Sequence, residues 1–320
     1  MAYNWFEMGL ATSVIAYGLS FIALLIGSLS DLKTREVPDW VNYGLVFSGI
    51  GLNLLFSIIY SDRSIAVSKI MFNEQMVNLY TFSDQSYIIS SIMGLVIFFG
   101  VAYIMFYAGQ WGGGDSKMLM GLGAMIGINI SSIRQEFLLV FFINALFVGA
   151  IYGLLWSILL VFRDKQKFRK EFSRILSKNK IVKSKKIILI SLTFLLVSLF
   201  LIKVYYIRIL ILSLAFLILT TFYLWIFVRA IEKSSMHKLV EPSKLTEGDW
   251  IVKDIIVNKE YIAGPKDLGI EKKQIRRLVE LYKKGKVNKV LIKEGIPFVP
   301  SFLIAFIITF LFGNPLMWLI

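Results

Sequence analysis

Cysteine is absent from all 320 residues, and histidine occurs once, as His237. Without cysteine there is no disulfide, no thiolate nucleophile and no cysteine zinc site. A lone histidine argues against a histidine-built metal centre and against a serine–histidine triad. His237 itself reads as an exposed loop residue. Internal repeats and low-complexity tracts are missing too. So is a basic n-region with a cleavage site in Met-Ala-Tyr-Asn-Trp-Phe-Glu, and the first apolar run therefore reads as a retained helix. The catalytic vocabulary left is carboxylates, lysines and hydroxyls.

What is abundant is apolar surface. Hydrophobic residues make up 57% of the chain and the mean hydropathy is +0.71, far outside the range of soluble domains. Eight runs read as membrane spans: Leu10–Leu29, Trp40–Tyr60, Tyr87–Tyr107, Met118–Ile133, Phe137–Phe162, Ile187–Ile202, Ile209–Val228 and Ile296–Phe312. The fourth and sixth are short for a bilayer, and the last can extend through Asn314–Trp318. Trp5, Trp40, Trp111, Trp225 and Trp318 fall near span ends and read as interface anchors.

The net charge of +14 would suggest nucleic acid in a soluble chain. Here it follows the membrane. With the N-terminus outside, Ser30–Asp39, Ala108–Lys117, Arg163–Lys186 and Arg229–Gly295 face the cytosol. All Lys and Arg residues except Arg63, Lys69, Arg134, Lys203 and Arg208 fall in these four segments. That asymmetry supports the orientation and an even number of spans, and no nucleic-acid partner is expected.

Two of these segments are more than connections. Arg163–Lys186 sets eleven basic residues against Asp164 and Glu171. It fits a helix lying against anionic headgroups, although ordinary positive-inside bias explains it with less and is preferred. Arg229–Gly295 is long enough for a small α+β domain. Asp249–Val257 and Lys289–Lys293 read as strands. Glu271–Lys284 reads as a helix with Ile275, Leu278, Val279 and Tyr282 on one face and Gly285 as its stop.

The chemistry concentrates in Trp111-Gly112-Gly113-Gly114-Asp115-Ser116-Lys117. A carboxylate at the mouth of a membrane helix is costly to dehydrate and marks a functional site. The three glycines before it read as a loop that lets a backbone approach. Asp31 lies just past the first span, on the same predicted membrane face. Two carboxylates held close share a proton. One can then activate water while the other protonates a leaving amine, which cleaves a peptide bond without metal, cysteine or histidine.

Asp31 with Lys33, Arg35 and Val37-Pro38-Asp39, together with Gly112-Gly113-Gly114-Asp115 and Lys117, resembles the type IV prepilin peptidase family (peptidase A24). These are membrane aspartyl proteases with a GxGD motif, and the archaeal preflagellin-processing branch resembles the chain most. Lys293–Pro300 is similar to the family's C-terminal segment. The resemblance implies a catalytic dyad of Asp31 and Asp115, with Gly112, Gly113, Gly114 and Lys117 as motif residues. It implies no cofactor and no metal, and without a cysteine pair it implies proteolysis without methylation.

The expected protein is an all-α polytopic membrane endopeptidase with a cytosolic α+β domain before its last helix. The expected domains are a catalytic core over 1–162, a basic loop over 163–186, two helices over 187–228, the α+β domain over 229–295 and a final span over 296–320. Its partners would be pilin-like or flagellin-like precursors and the lipid bilayer of the cell membrane, the leader being cut at the cytosolic surface. Glu36, Asp39, Glu247 and Asp249 are candidates to hold a basic leader, though solvated loop charge explains each. Asp39 otherwise caps the second helix, and Lys117 either acts on Asp115 or faces headgroups. Gly123 and Gly127 read as a helix-packing pair. A presenilin-like protease is a weaker alternative, because no Tyr-Asp or Pro-Ala-Leu motif occurs. A proton-coupled transporter and a non-catalytic scaffold remain from other classes.

Overall fold

A computed structural model describes residues 2–59, 70–72, 75–77, 86–128 and 137–313. The expected end of the fourth span beyond 128, the extension over 314–318 and the side chains of Trp5 and Trp318 lie outside the described residues.

The chain opens with α1 (Ala2–Thr34) and α2 (Asp39–Ile59), then a short antiparallel hairpin of β1 (Ile70–Phe72) and β2 (Gln75–Val77). Helices α3 (Tyr87–Tyr107), α4 (Gly113–Ile126), α5 (Phe137–Arg163), α6 (Lys165–Leu176), α7 (Asn179–Leu201) and α8 (Tyr205–Ile231) follow. Then come β3 (His237–Val240), β4 (Trp250–Ile251), β5 (Ile255–Val257), β6 (Glu260–Ala263), α9 (Lys272–Lys283), β7 (Val290–Lys293) and α10 (Val299–Phe312). Among the described residues six helices are long and apolar enough to span a bilayer: Thr12–Thr34, Asp39–Ile59, Tyr87–Tyr107, Phe137–Arg163, Asn179–Leu201 and Tyr205–Met236. Their outer faces carry side chains such as Phe47, Phe194 and Phe200, which are 72%, 73% and 87% exposed. Surface this apolar needs hydrocarbon around it.

The expected count of eight spans is not confirmed among the described residues. Helices α4 and α10 have 14 residues each. At 1.5 Å per residue they reach about 21 Å, short of a ~30 Å hydrocarbon core. The sixth run, expected to be short, is a helix of 23 residues. Arg163–Lys186 is not a loop, because α6 and the start of α7 occupy it.

The described chain divides into two compact units, Met1–Gly153 with Gly295–Ile320, and Leu154–Glu294. In the first, α4 is wedged between α2 and α3. Asn53 of α2 donates to the carbonyls of Ala124 and Met125, and Ser91 of α3 donates to that of Ala124. These bonds satisfy carbonyls that a helix end leaves without partners. The core around α4 joins Leu24, Phe98, Met118, Leu122, Phe141 and Phe302. Trp111 belongs to it, only 5% exposed and 5.3 Å from the Phe302 ring, so its reading as an interface anchor is wrong. Its indole gains more from the aromatic cluster at the foot of α10 than from headgroups.

In the second unit β3, β7 and β4 form an antiparallel sheet in that order, beside a β5–β6 hairpin and α9. The strand expected over Asp249–Val257 is broken into β4 and β5. Glu271 caps α9 through a reciprocal pair with Gln274. The face of α9 that is buried uses Leu278 and Leu281, while Tyr282 points outward. His237 is not in a loop. It is the first residue of β3, half-buried and paired in register with Lys293, and burial lowers its pKa.

Candidate active site

Helix α1 continues through Asp31 to Thr34, so this aspartate sits in the last helical turn and not in the following loop. Two hydroxyls support the extension: Thr34 Oγ1 donates to the Ser30 carbonyl, and Ser30 Oγ donates to that of Glu36. Polar residues whose hydroxyls fold back onto the backbone need no water. Arg35 then ends the helix with φ +64°, and its N–H donates to the Asp31 carbonyl. Left-handed backbone is uncommon for arginine. Here it turns the chain at once into Val37.

Asp31 is 6% exposed. The N–H of Val299, at the first turn of α10, donates to its Oδ2 at 3.0 Å. A helix N-terminus carries partial positive charge and free N–H groups, which suit a carboxylate. Arg35 and the Tyr152 hydroxyl group lie within electrostatic reach of Asp31. The prolines at 297 and 300 announce where α10 starts, but nothing in the sequence says that it starts against Asp31. Tyr152 carries no sequence signal at all.

Asp115 stands in the first turn of α4, outside the six spans, and its Oδ2 accepts the Gly112 N–H at 2.9 Å. The glycines are accordingly a helix start and not a loop. Gly112 is the N-cap with extended backbone, and Gly113 and Gly114 are already helical. What favours glycine at 114 is proximity: a Cβ there would meet the Val37 side chain at 3.2 Å, a tight contact. Val37 also lies against Gly27 of α1. The first motif therefore presses directly on the turn that carries Asp115.

Asp115 is half-buried by surface area, yet its surroundings are dense enough for desolvation to dominate. Its pKa is raised to about 7, mainly by burial and next by the charge of Asp31, while the Gly112 N–H pulls the other way. Desolvation and a like charge both favour the protonated carboxyl.

Lys117 does not act on Asp115. Its ammonium is 2.6 Å from Asp39 Oδ1 and lies 5.2 Å above the Tyr43 ring. Asp39 is likewise not the cap of α2; it is that helix's first residue, and Pro38 supplies the carbonyl that accepts from Val41. The pair joins the two motifs at an exposed position, where ion pairs contribute little. We expect Asp39→Asn and Lys117→Met each to cost under about 1 kcal/mol of stability, measured by thermal unfolding in detergent. A larger loss in either would mean that the pair holds the motifs together.

The other candidates divide. Glu36 is exposed, with only its carbonyl engaged. Glu247 and Asp249 belong to the second unit. There Glu247 is 3.0 Å from Lys272, and the carboxylate of Asp249 accepts the Thr246 N–H.

The sequence profile described as the type IV leader peptidase family matches residues 18–154. That segment holds both aspartates. That segment is similar to the type IV leader peptidase family. The chain is also 34% identical over 113 residues to a preflagellin peptidase of Methanococcus voltae, covering 35% of this chain and 39% of that protein. Its identity to the preflagellin peptidase of Methanocaldococcus jannaschii is 34%, over 35% and 38% of the two chains. For that of Methanococcus maripaludis the figure is 36%, over 35% and 39%. These matches span less than half the length of each relative.

Proposed function

We propose that the protein is a membrane aspartyl endopeptidase that removes short basic leaders from pilin-like or archaeal flagellin-like precursors. One observation carries this reading above the family similarity. Asp31 and Asp115, on separate helices of the family segment, are near enough for the charge of one to be felt by the other. The similarity supports a leader peptidase, and the three relatives act on preflagellins by name.

In this reading Asp115 keeps its proton and Asp31 accepts one. A water hydrogen-bonded to Asp31 loses a proton to it as the oxygen attacks the scissile carbonyl carbon. Asp115 then protonates the amide nitrogen as the C–N bond breaks. The Val299 N–H holds the Asp31 carboxylate in one orientation through both steps. The substrate's apolar helix would lie in the bilayer against the exposed faces of the membrane helices. Its basic leader would meet Glu36, which is exposed. We place both aspartates on the cytosolic side, a reading supported by the basic residues of the flanking segments.

The test is to incubate membranes holding the full chain with a precursor carrying a basic leader and to look for the shortened product. A transporter or a scaffold yields none. The same assay reads the proton. Because the Asp115 pKa is raised to about 7, its protonated form dominates below that pH and is lost above it. Above about pH 7 cleavage should fall about tenfold per pH unit, as for loss of a single essential proton, and at acid pH it should fall again as Asp31 becomes protonated. A rate that keeps rising above pH 7 would remove Asp115 from the role of proton donor.

A further inference from the structure

The second unit carries a feature that proteolysis does not use. Helix α6 packs Phe168, Phe172 and Ile175 toward Phe222, Ile226 and Ala230 of α8. Its opposite face is therefore free to present its basic residues. The two acids nearby are already engaged, Asp164 with Arg163 and Lys167, and Glu171 with Arg174. At the α6–α7 junction Lys178 meets Lys233 within side-chain hydrogen-bonding range, with Arg174 adding to the same positive charge. Ammonium groups are donors only, so two facing each other repel unless an anion supplies the acceptor. The repulsion from Lys233 is the main reason that the pKa of Lys178 is lowered.

Two residues on from Lys178, Lys180 lines an open groove of about 530 Å³ between α7 and α8. Lys180, Ser184 and Trp225 line it, and so do Ile188 and Phe222. Lys180 and Ser184 come from the first turns of α7, whereas Ile188 lies farther along the span. Trp225, near the end of α8, also stacks with Arg229, whose guanidinium is 5.7 Å from its ring. The groove thus runs from cationic and hydroxyl groups at one end to apolar walls at the other. Tryptophan and arginine mark the level of the headgroups.

We propose that this groove binds one anionic phospholipid, its phosphate at Lys178, Lys180 and Lys233 and an acyl chain along Ile188 and Phe222. Charge complementarity selects the anionic headgroup, and the apolar wall distinguishes a lipid from free phosphate. This is a defined site, distinct from the general excess of basic residues on one membrane face. It does not depend on the peptidase reading.

The test is native mass spectrometry of the full chain in detergent, titrated with dioctanoyl phosphatidylglycerol, dioctanoyl phosphatidylcholine or inorganic phosphate. Three lysines should favour phosphatidylglycerol over phosphatidylcholine by roughly hundredfold for one bound molecule. The triple variant Lys178→Gln, Lys180→Gln, Lys233→Gln should lose that preference, and the corresponding triple arginine variant should keep it. Ser184→Trp, which fills the groove, should weaken phosphatidylglycerol binding. Removing three basic residues of the α6 face instead (Lys165→Gln, Arg169→Gln, Lys170→Gln) should leave it intact. The proposal is overturned if the α6 triple costs as much as the groove triple, because the effect is then diffuse charge. It is equally overturned if inorganic phosphate displaces the lipid at equal concentration, or if phosphatidylglycerol and phosphatidylcholine bind alike.

Discussion

Asp31→Asn and Asp115→Asn should each lower leader cleavage by about 10²–10⁴-fold, the range for loss of a general acid or base. Folding should survive both changes, for a reason visible in the hydrogen bonds. The Val299 N–H needs only an acceptor at position 31, and the Gly112 N–H needs only an acceptor at 115. An amide oxygen supplies each. What asparagine cannot do is take or give the proton. Replacing Asp115 also removes a buried group whose ionisation burial opposes, so the folded protein should be at least as resistant to heat above pH 7. The measurement pairs cleavage of a precursor with the amount of folded protein recovered from membranes. Cleavage by either variant at the wild-type rate would end the dyad assignment. The double variant should be no worse than the poorer single one, because groups that act as a unit do not contribute additively.

Gly123→Leu should remove folded protein altogether or lower its stability by about 3 kcal/mol, the upper part of the usual range for overpacked cores. A Cβ at Gly123 would meet the Gly94 carbonyl carbon at 2.9 Å, with its oxygen closer still, and the Phe98 side chain at 3.0 Å. The clash is with backbone, which cannot rotate away. The contact is reciprocal, since a Cβ at Gly94 would strike the backbone of Gly123 and Gly127. Small residues let α3 and α4 approach this closely, and dispersion between the two backbones holds them there. Gly100 is the control. It lies in the same α3 with nothing within 4 Å of a Cβ, so Gly100→Leu should gain the roughly 0.5–1 kcal/mol that a helix gains on losing a glycine. Thermal unfolding in one detergent reads both. Equal tolerance at the two positions would show that α4 is not clamped as described.

Both effects rest on residues that stand out in the amino-acid sequence, but for different reasons. The aspartates are legible because a carboxylate at a membrane boundary has no inexpensive explanation, and two of them on one face suggest each other. Gly123 and Gly127 are legible through their spacing of four, which puts both on one side of a helix. Their partner, Gly94, is not, because it lies on α3 among apolar residues that any span contains. Trp111 misleads for a related reason. Proximity to a span end suggests an interface, and only its aromatic neighbours show that it is buried.

The ends of helices are the least legible part. Ser30-Asp31-Leu32-Lys33-Thr34 has the polar composition of a loop, which would put Asp31 beyond α1. The folded chain keeps it helical because the hydroxyls of Ser30 and Thr34 bond to nearby carbonyls. Conversely, the stretch from Gly112 to Lys117 has the composition of a loop because glycine is a poor helix former. The α2–α3 cleft and the seat on Val37 favour a helix there that propensity alone does not.

By itself the sequence determined the environment and the chemistry. Its hydropathy requires a bilayer, its missing cysteines and near-missing histidines narrow the candidate groups to carboxylates, lysines and hydroxyls, and its two motifs supply the proposed pair. Those are properties of composition and of short spacings, which survive without tertiary contacts. Only the tertiary structure decided who touches whom. It put the Val299 N–H on Asp31 across 268 residues of chain, gave Lys117 to Asp39 and set Val37 against Gly114. Such contacts are fixed by which helix faces meet in the packed core, and a hydropathy pattern marks a face as apolar without naming the neighbour that will cover it.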